Sequence, residues 1–149
     1  MNQDILDYIN SQRVCVLAVE MPDGSPHAAT LHFATSKDGT TFYFLTSPGY
    51  RKTEALKGRL TSRASVVVGV DEAVMKTMQL DGEVRIVSEA ERKNFDGMYF
   101  GKFPEKVGKF AEDIAFIFTP TWWRYTDWTG ANGKRIVSSA DHEEYLKVN

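Results

Sequence analysis

The sequence predicts a mainly β protein: six or seven antiparallel strands in a small Greek-key barrel, with helices flanking it. Three observations lead there. Apolar and polar residues alternate with period two along extended runs, as where Met78, Leu80, Val84 and Ile86 interleave with Gln79, Asp81, Glu83 and Arg85. Short turn sequences, "PDGS" and "SKDGT", separate the first three such runs, so consecutive strands are antiparallel neighbours. Nowhere does a strand pattern give way to a long helix and then another strand, as a doubly wound parallel sheet requires.

Each element has its own local reason. "NQDILDYINSQ" places Ile5, Leu6 and Ile9 at helical spacing and predicts a short amphipathic helix. "RVCVLAVE", "PHAATLHFAT" and "TTFYFLT" are the first three strands. "TSPGYRKTEALKG" then predicts a helix, with Ser47 as its cap, Pro48 in the first position and Gly58 as its stop. Thr53, Leu56 and Leu60 would form its inner face. "RASVVVGVD" is apolar at nearly every residue and predicts a strand buried on both sides. "KTMQLDGEVRIV" predicts a strand with one face in and one out. Ser88 and Glu91 form a capping box opening a helix-and-loop segment. "DIAFIFTPTWWRYTDW" is a last long strand broken at Pro120, and residues 129–149 form a polar tail in which "KRIV" is the one strand and "DHEEYL" is solvated.

A chain of 149 residues without a Pro/Gly/Ser linker or internal repeat is read as a single domain, 1–149. Its net charge of −2 argues against a general nucleic-acid binder. No apolar run approaches the roughly 18–20 residues that span a bilayer, and the N-terminus lacks a signal-peptide core, so no membrane association is expected. The one cysteine, Cys15, excludes an internal disulfide and lies in an apolar run, which points to a buried thiol and a cytoplasmic location.

Familiar catalytic signatures are missing: there is no G-x-S-x-G elbow and no P-loop. His27, His32 and His142 lack metal-ligand spacing, so no metal is expected. Other features point to a ligand. On the second strand Ala28, Thr30, His32 and Ala34 share a face, level with Thr46 and Ser47, along which a flat polar heterocycle could lie. Trp122, Trp123, Tyr125 and Trp128, with Arg124, serve as core, as dimer interface or as the cover of a ring system. Arg51 and Lys52 fall where a helix dipole disfavours cations by about 0.3–1 kcal/mol each. Either both swing out to solvent, or an anion such as a phosphate balances them.

Read in order, "VCVLAVE", "GSPHAATLHF", "TTFYFLTSPGYRKTEALK", "ASVVVGV" and "LDGEVRIVSEAER" resemble the FMN-binding split-barrel family, the pyridoxamine 5′-phosphate oxidase-like proteins. The resemblance runs over about residues 5–128 and is nearest to the short general-stress-protein-type members. It implies a split barrel and a homodimer with two FMN sites at the subunit interface. It also assigns residues: His27, Thr30, Leu31 and His32 along the flavin, Thr46 and Ser47 near its ring and ribityl chain, and Arg51 and Lys52 at its phosphate. Gln79, Trp123, Arg124 and Trp128 would come from the partner subunit.

The implied activity is that of an FMN-dependent oxidoreductase on a small molecule, with NAD(P)H as a candidate electron donor. The alternatives are a non-enzymatic flavin binder or redox sensor, or a barrel holding a deazaflavin or heme. A deazaflavin would want more cations than Arg51 and Lys52 offer, and heme would want His27, His32 or His142 as axial ligand. No side chain is assigned a catalytic role. Two departures stand out: Tyr50 replaces a serine common before the basic pair, and after Trp128 and Arg135 the rest of the W…R-x-H-x-R signature is missing. Vitamin B6 oxidation is therefore not expected.

Overall fold

Among the described residues the period-two runs form nine strands, and every pairing between them is antiparallel. The computed structural model describes residues 1–109 and 111–140, and the backbone of 143–146. In chain order the strands are β1 (Val14–Glu20), β2 (Pro26–His32), β3 (Ala34–Thr35), β4 (Phe42–Thr46), β5 (Ser62–Val68), β6 (Lys76–Ile86), β7 (Ile114–Asp127), β8 (Lys134–Ser138) and β9 (Glu143–Leu146). Two α-helices, α1 (Gln3–Ser11) and α2 (Glu89–Lys102), flank them. The main path of the sheet is β2-β1-β5-β6-β7-β4-β3, seven strands curled into a half-barrel. This is the split barrel expected from the sequence. β8 joins the far half of β7, and β9 joins β8.

Alternation decides what each strand buries. Phe42 and Phe44 of β4, with Phe116 and Phe118 of β7, enter the barrel core beside Phe33, Leu17, Val66 and Val84. Ile5, Tyr8 and Ile9 of α1 plug the same core. The intervening residues, Tyr43, Leu45, Ala115 and Ile117, face the other way and meet Phe95, Tyr99 and Phe103 of the α2 segment. β4 is thus buried on both faces, and α2 is held by aromatic side chains at helical spacing. Its start carries the expected capping box between Ser88 and Glu91, and Arg85 clamps Glu91 from β6 at 2.5 Å.

Several local expectations are corrected. The helix expected from Ser47 begins instead at Arg51, as a six-residue 3-10 helix, Arg51–Leu56, whose cap residue is Tyr50. Pro48 and Gly49 form a turn closed by the Tyr50 N–H donating to the Ser47 carbonyl at 3.2 Å. Leu56 is buried, but Leu60 stands 92% exposed beyond the Gly58 stop. β5 is buried on one face only: Val66 and Val68 are inside, whereas Arg63 and Val67 are exposed. An unbroken apolar run cannot distinguish a covered face from a bare one.

β7 is not broken at Pro120. Gly82 pairs with Pro120 and Asp81 with Trp122, so Thr121 is an extra residue in a β-bulge. The bulge absorbs the missing proline N–H without ending the strand. The tail contains a second strand, β9, beside the expected "KRIV" strand, and the start of "DHEEYL" at residues 141–142 lies outside the described residues.

Candidate functional site

β2 and β3 are the two ends of the main sheet path, yet only Phe33 separates them along the chain. The half-barrel is therefore joined at this point by the backbone and not by a ladder. The Phe33 N–H donates to the Arg13 carbonyl at 3.2 Å. Beside this junction β2 and the end of β4 part around a cleft of about 410 Å³, within the roughly 300–1,000 Å³ of small-molecule sites. Thr30, Leu31 and His32 line it from β2, and Leu45, Thr46 and Ser47 from β4 and its exit. Tyr50 and Lys52 close one side, while Tyr99, Lys106 and Asp113 come from the α2 segment and the loop after it.

The basic pair divides. The Arg51 side chain is 58% exposed and lies 3.9 Å from Glu54. Lys52 turns inward, is 6% exposed, and holds its ammonium 4.3 Å from the centroid of the Tyr50 ring. With only a short 3-10 helix here, no long helix dipole acts on either cation; what distinguishes them is burial. Burial pushes the Lys52 pKa down, and Asp113 opposes that shift. A partly desolvated ammonium in a cleft is poised for an anion, because an ion pair in low dielectric gains more than one in water.

The other lining residues combine protonated and neutral groups. Lys106 donates to the Tyr99 hydroxyl at 3.2 Å. Burial, then Asp113 and Glu105, push the Tyr99 pKa up, so the hydroxyl keeps its proton at neutral pH. His32 stands edge-on to Phe103 with ring centroids 5.3 Å apart. Burial lowers its pKa, and the charges of Lys106 and Arg13 lower it further, leaving a neutral imidazole at pH 7.

Six of the twelve sequence-assigned residues line this cleft: Thr30, Leu31, His32, Thr46, Ser47 and Lys52. His27 lies at the other end of β2, opposite Val19 and about 17 Å away along the strand. Gln79 and Arg124 face each other across β6 and β7, both exposed. Trp123 pairs with Leu80 and packs partly against the core. The Trp128 backbone N–H donates to the Met75 carbonyl at 3.0 Å, and the Trp128 ring lies beneath the Lys134 ammonium. Gln79 and Arg124 thus share the exposed face of the β6–β7 ribbon, Trp123 lies on its core-facing side and Trp128 follows the end of β7; none of the four lines the cleft of its own chain.

Sequence reasoning missed Tyr99, Lys106 and Asp113 as lining residues. Tyr99 reads as core, spaced four residues from Phe95 and Phe103, and the other two reach the cleft only because the α2 segment folds back. Among the described residues no group of three or more His, Cys, Asp or Glu side chains could hold a metal, and His142 lies outside them. No described helix is long and apolar enough to cross a membrane.

Next to the cleft, the Lys102 ammonium donates to the Gln12 carbonyl at 2.6 Å and lies 4.3 Å from the Phe33 ring centroid. Burial, with Arg13 adding to it and Cys15 opposing, pushes its pKa from 10.5 down to about 8. Between those two values the unfolded chain binds more protons at this site than the folded one, so the Lys102 contribution makes stability rise with pH. Thermal melts should therefore show wild type gaining on Lys102→Met as pH increases from 8 towards 10; a constant gap between the two would contradict the shift.

The family model described as pyridoxamine 5′-phosphate oxidase matches residues 1–127. Solved structures match in fold. A Clostridium acetobutylicum protein related to general stress protein 26 of Bacillus subtilis, described as of the pyridoxinephosphate oxidase family, is 17% identical, with a TM-score of 0.63 over 93% of this chain and 95% of that one. A heme binding protein from Mycobacterium smegmatis is 13% identical, with a TM-score of 0.67 over 93% of this chain and 59% of that one. HutZ, the heme storage protein of Vibrio cholerae, is 16% identical, with a TM-score of 0.57 over 78% and 87%. A search of curated protein sequences returns no match.

Proposed function

The chain belongs to the pyridoxamine 5′-phosphate oxidase family, and from that premise we propose that it holds FMN in the β2–β4 cleft and acts as an oxidoreductase on a small molecule. One observation carries this reading: strand backbone, two hydroxyl side chains, a neutral imidazole and an inward-turned lysine converge on a single cleft. Lys52 would take the phosphate, Thr46 and Ser47 the ribityl chain, and the Thr30–His32 stretch of β2 the edge of the ring system. FMN, when bound, supplies the electron transfer; the protein positions it, excludes water and balances its charge.

Two features support a homodimer. The outward face of β5 presents Val67, 37% exposed, beside exposed Gln79 of β6. Gln79 and Arg124 also stand together on the exposed face of the ribbon, free of the cleft in their own chain and available to a partner's. NAD(P)H as electron donor and a cytoplasmic location complete the proposal.

A second reading, heme in the same cleft, has one observation in its favour: His32 lines the cleft and could ligate iron. Two of the structural neighbours are described as heme proteins. The visible absorption spectrum of the purified protein, with mass spectrometry of the heat-released material, separates the readings. A flavin spectrum with released FMN is the expected result. A heme spectrum would favour the second reading, and a colourless protein unable to bind added FMN would overturn the first.

A further inference from the structure

Tyr50 and Lys52 stand two residues apart where the 3-10 helix begins, and the Tyr50 backbone is held on both sides. Its N–H donates to the Ser47 carbonyl at 3.2 Å. Its carbonyl accepts from the Thr53 N–H at 2.9 Å and from the Thr53 hydroxyl at 2.6 Å. The same hydroxyl reaches the Pro48 carbonyl at 2.9 Å. Only the side chain of Tyr50 keeps its freedom. Its ring is 60% exposed, lines the cleft and lies 4.3 Å from the Lys52 ammonium. A ring so exposed adds little to the core, so packing alone does not account for its place over the lysine.

Lys52 is buried, yet its ammonium forms no hydrogen bond or ion pair with another described residue. Buried cations are ordinarily paired. Lys102, beside the same cleft, donates to the Gln12 carbonyl at 2.6 Å. Asp113 lines the cleft and favours the charged form of Lys52, but forms no ion pair with it. The Tyr50 ring is a partner of another kind. Its negative face attracts a cation, most strongly where water is excluded. It has no lone pair in that face to occupy an N–H, and it carries no net charge to cancel. An ammonium held this way stays in place with all three donors and its full charge available. A carboxylate in the position of the ring would instead repel an incoming anion.

We propose that Tyr50 is a positioning residue for phosphate: its ring face holds the Lys52 ammonium in the cleft without neutralising it, and so sets the affinity for a phosphate monoester. A lysine left free would lose rotamer freedom when it met the phosphate, and the ring meets that loss in advance. The contact is made by the ring face, so the Tyr50 hydroxyl is dispensable. The inference rests on the flavin reading for the molecule that carries the phosphate; the hold of the ring on the ammonium does not depend on it.

Tyr50→Phe and Tyr50→Leu separate the ring face from bulk. In FMN titrations followed by flavin fluorescence, Tyr50→Phe should bind within about twofold of wild type. Tyr50→Leu should bind about five- to thirtyfold more weakly, as loss of a desolvated cation–aromatic contact implies. Tyr50→Leu binding FMN as tightly as Tyr50→Phe would overturn the proposal. Ligand-free melting points should coincide, because Tyr50 is exposed; a Tyr50→Leu protein melting well below the others would make the ring structural and overturn its role at the phosphate. Should the protein bind no FMN, the flavin reading falls, and calorimetric titration with inorganic phosphate still reads the ring. Saturable phosphate binding that is lost in Lys52→Ala, kept in Tyr50→Phe and weakened in Tyr50→Leu would then support the proposal. Phosphate binding that is absent, indifferent to Lys52→Ala or equal in the two Tyr50 variants would refute it.

Discussion

Lys52→Ala is expected to weaken FMN binding by at least about tenfold, whereas Arg51→Ala should change it by less than about threefold. The asymmetry follows from burial. Arg51 is an exposed side chain 3.9 Å from Glu54, and such surface charges contribute little. Lys52 is 6% exposed and faces the cleft, where a charge-assisted hydrogen bond is worth about 1.5–3 kcal/mol, or some ten- to 150-fold in affinity. The measurement is titration of FMN against each protein, following the quenching of flavin fluorescence. Thermal melts without ligand serve as the control, because the Lys52 ammonium also lies over the Tyr50 ring. Equal, small losses in both variants would mean that the phosphate sits elsewhere. From sequence alone the two cations are indistinguishable neighbours.

A large loss of stability is expected of Gly82→Ala. Nothing in the backbone at Gly82 requires glycine, since its φ is not in the left-handed range. The constraint comes from across the sheet. A Cβ there would lie 2.2 Å from the Thr119 carbonyl oxygen and 2.8 Å from the Pro120 Cα. Both are backbone atoms, held by ladder pairs on either side of the bulge, so the clash cannot be relieved by turning a side chain. A loss of about 3 kcal/mol, corresponding to a melting point lower by roughly 6–12 °C, is expected. Gly97→Ala, in α2 with nothing within 4 Å of the added Cβ, should instead stabilise by about 0.5–1 kcal/mol. If both substitutions had the same effect in a melt, close approach of β6 to β7 would not be the reason for the glycine.

Much of this architecture is local and therefore legible in the sequence. The alternation in β6, the "PDGS" and "SKDGT" turns, the apolar stripe of α1 and the Ser88–Glu91 box each satisfy a nearby backbone or burial requirement. So does the inward set of β2, where Leu31 and Phe33 are buried and Thr30 is exposed. The start of the helix after β4 was misleading because serine followed by proline suits a helix cap and a tight turn equally well; the Ser47–Tyr50 hydrogen bond makes it a turn. The cleft was half legible. Thr46, Ser47 and Lys52 sit on a recognisable strand exit, but Tyr99, Lys106 and Asp113 approach only through the packing of Phe95, Tyr99 and Phe103 on β4 and β7. That Arg13, Lys102 and Lys106 gather on the Phe103 ring has no signal in spacing, since those residues are up to about ninety positions apart along the chain.

The pairing of β4 with the first half of β7 joins Thr46 to Ile114, and the cleft draws residues from Thr30 to Asp113. A growing polypeptide cannot form that cleft until most of it has emerged from the ribosome. At roughly 5–20 residues per second, β2 and β4 wait several seconds, with the Phe42 and Phe44 faces uncovered, for the strand that completes them. Any ligand of that cleft must wait for β7 to emerge, and a nascent chain stalled before β7 would expose an aromatic-rich surface to the folding machinery of the cell.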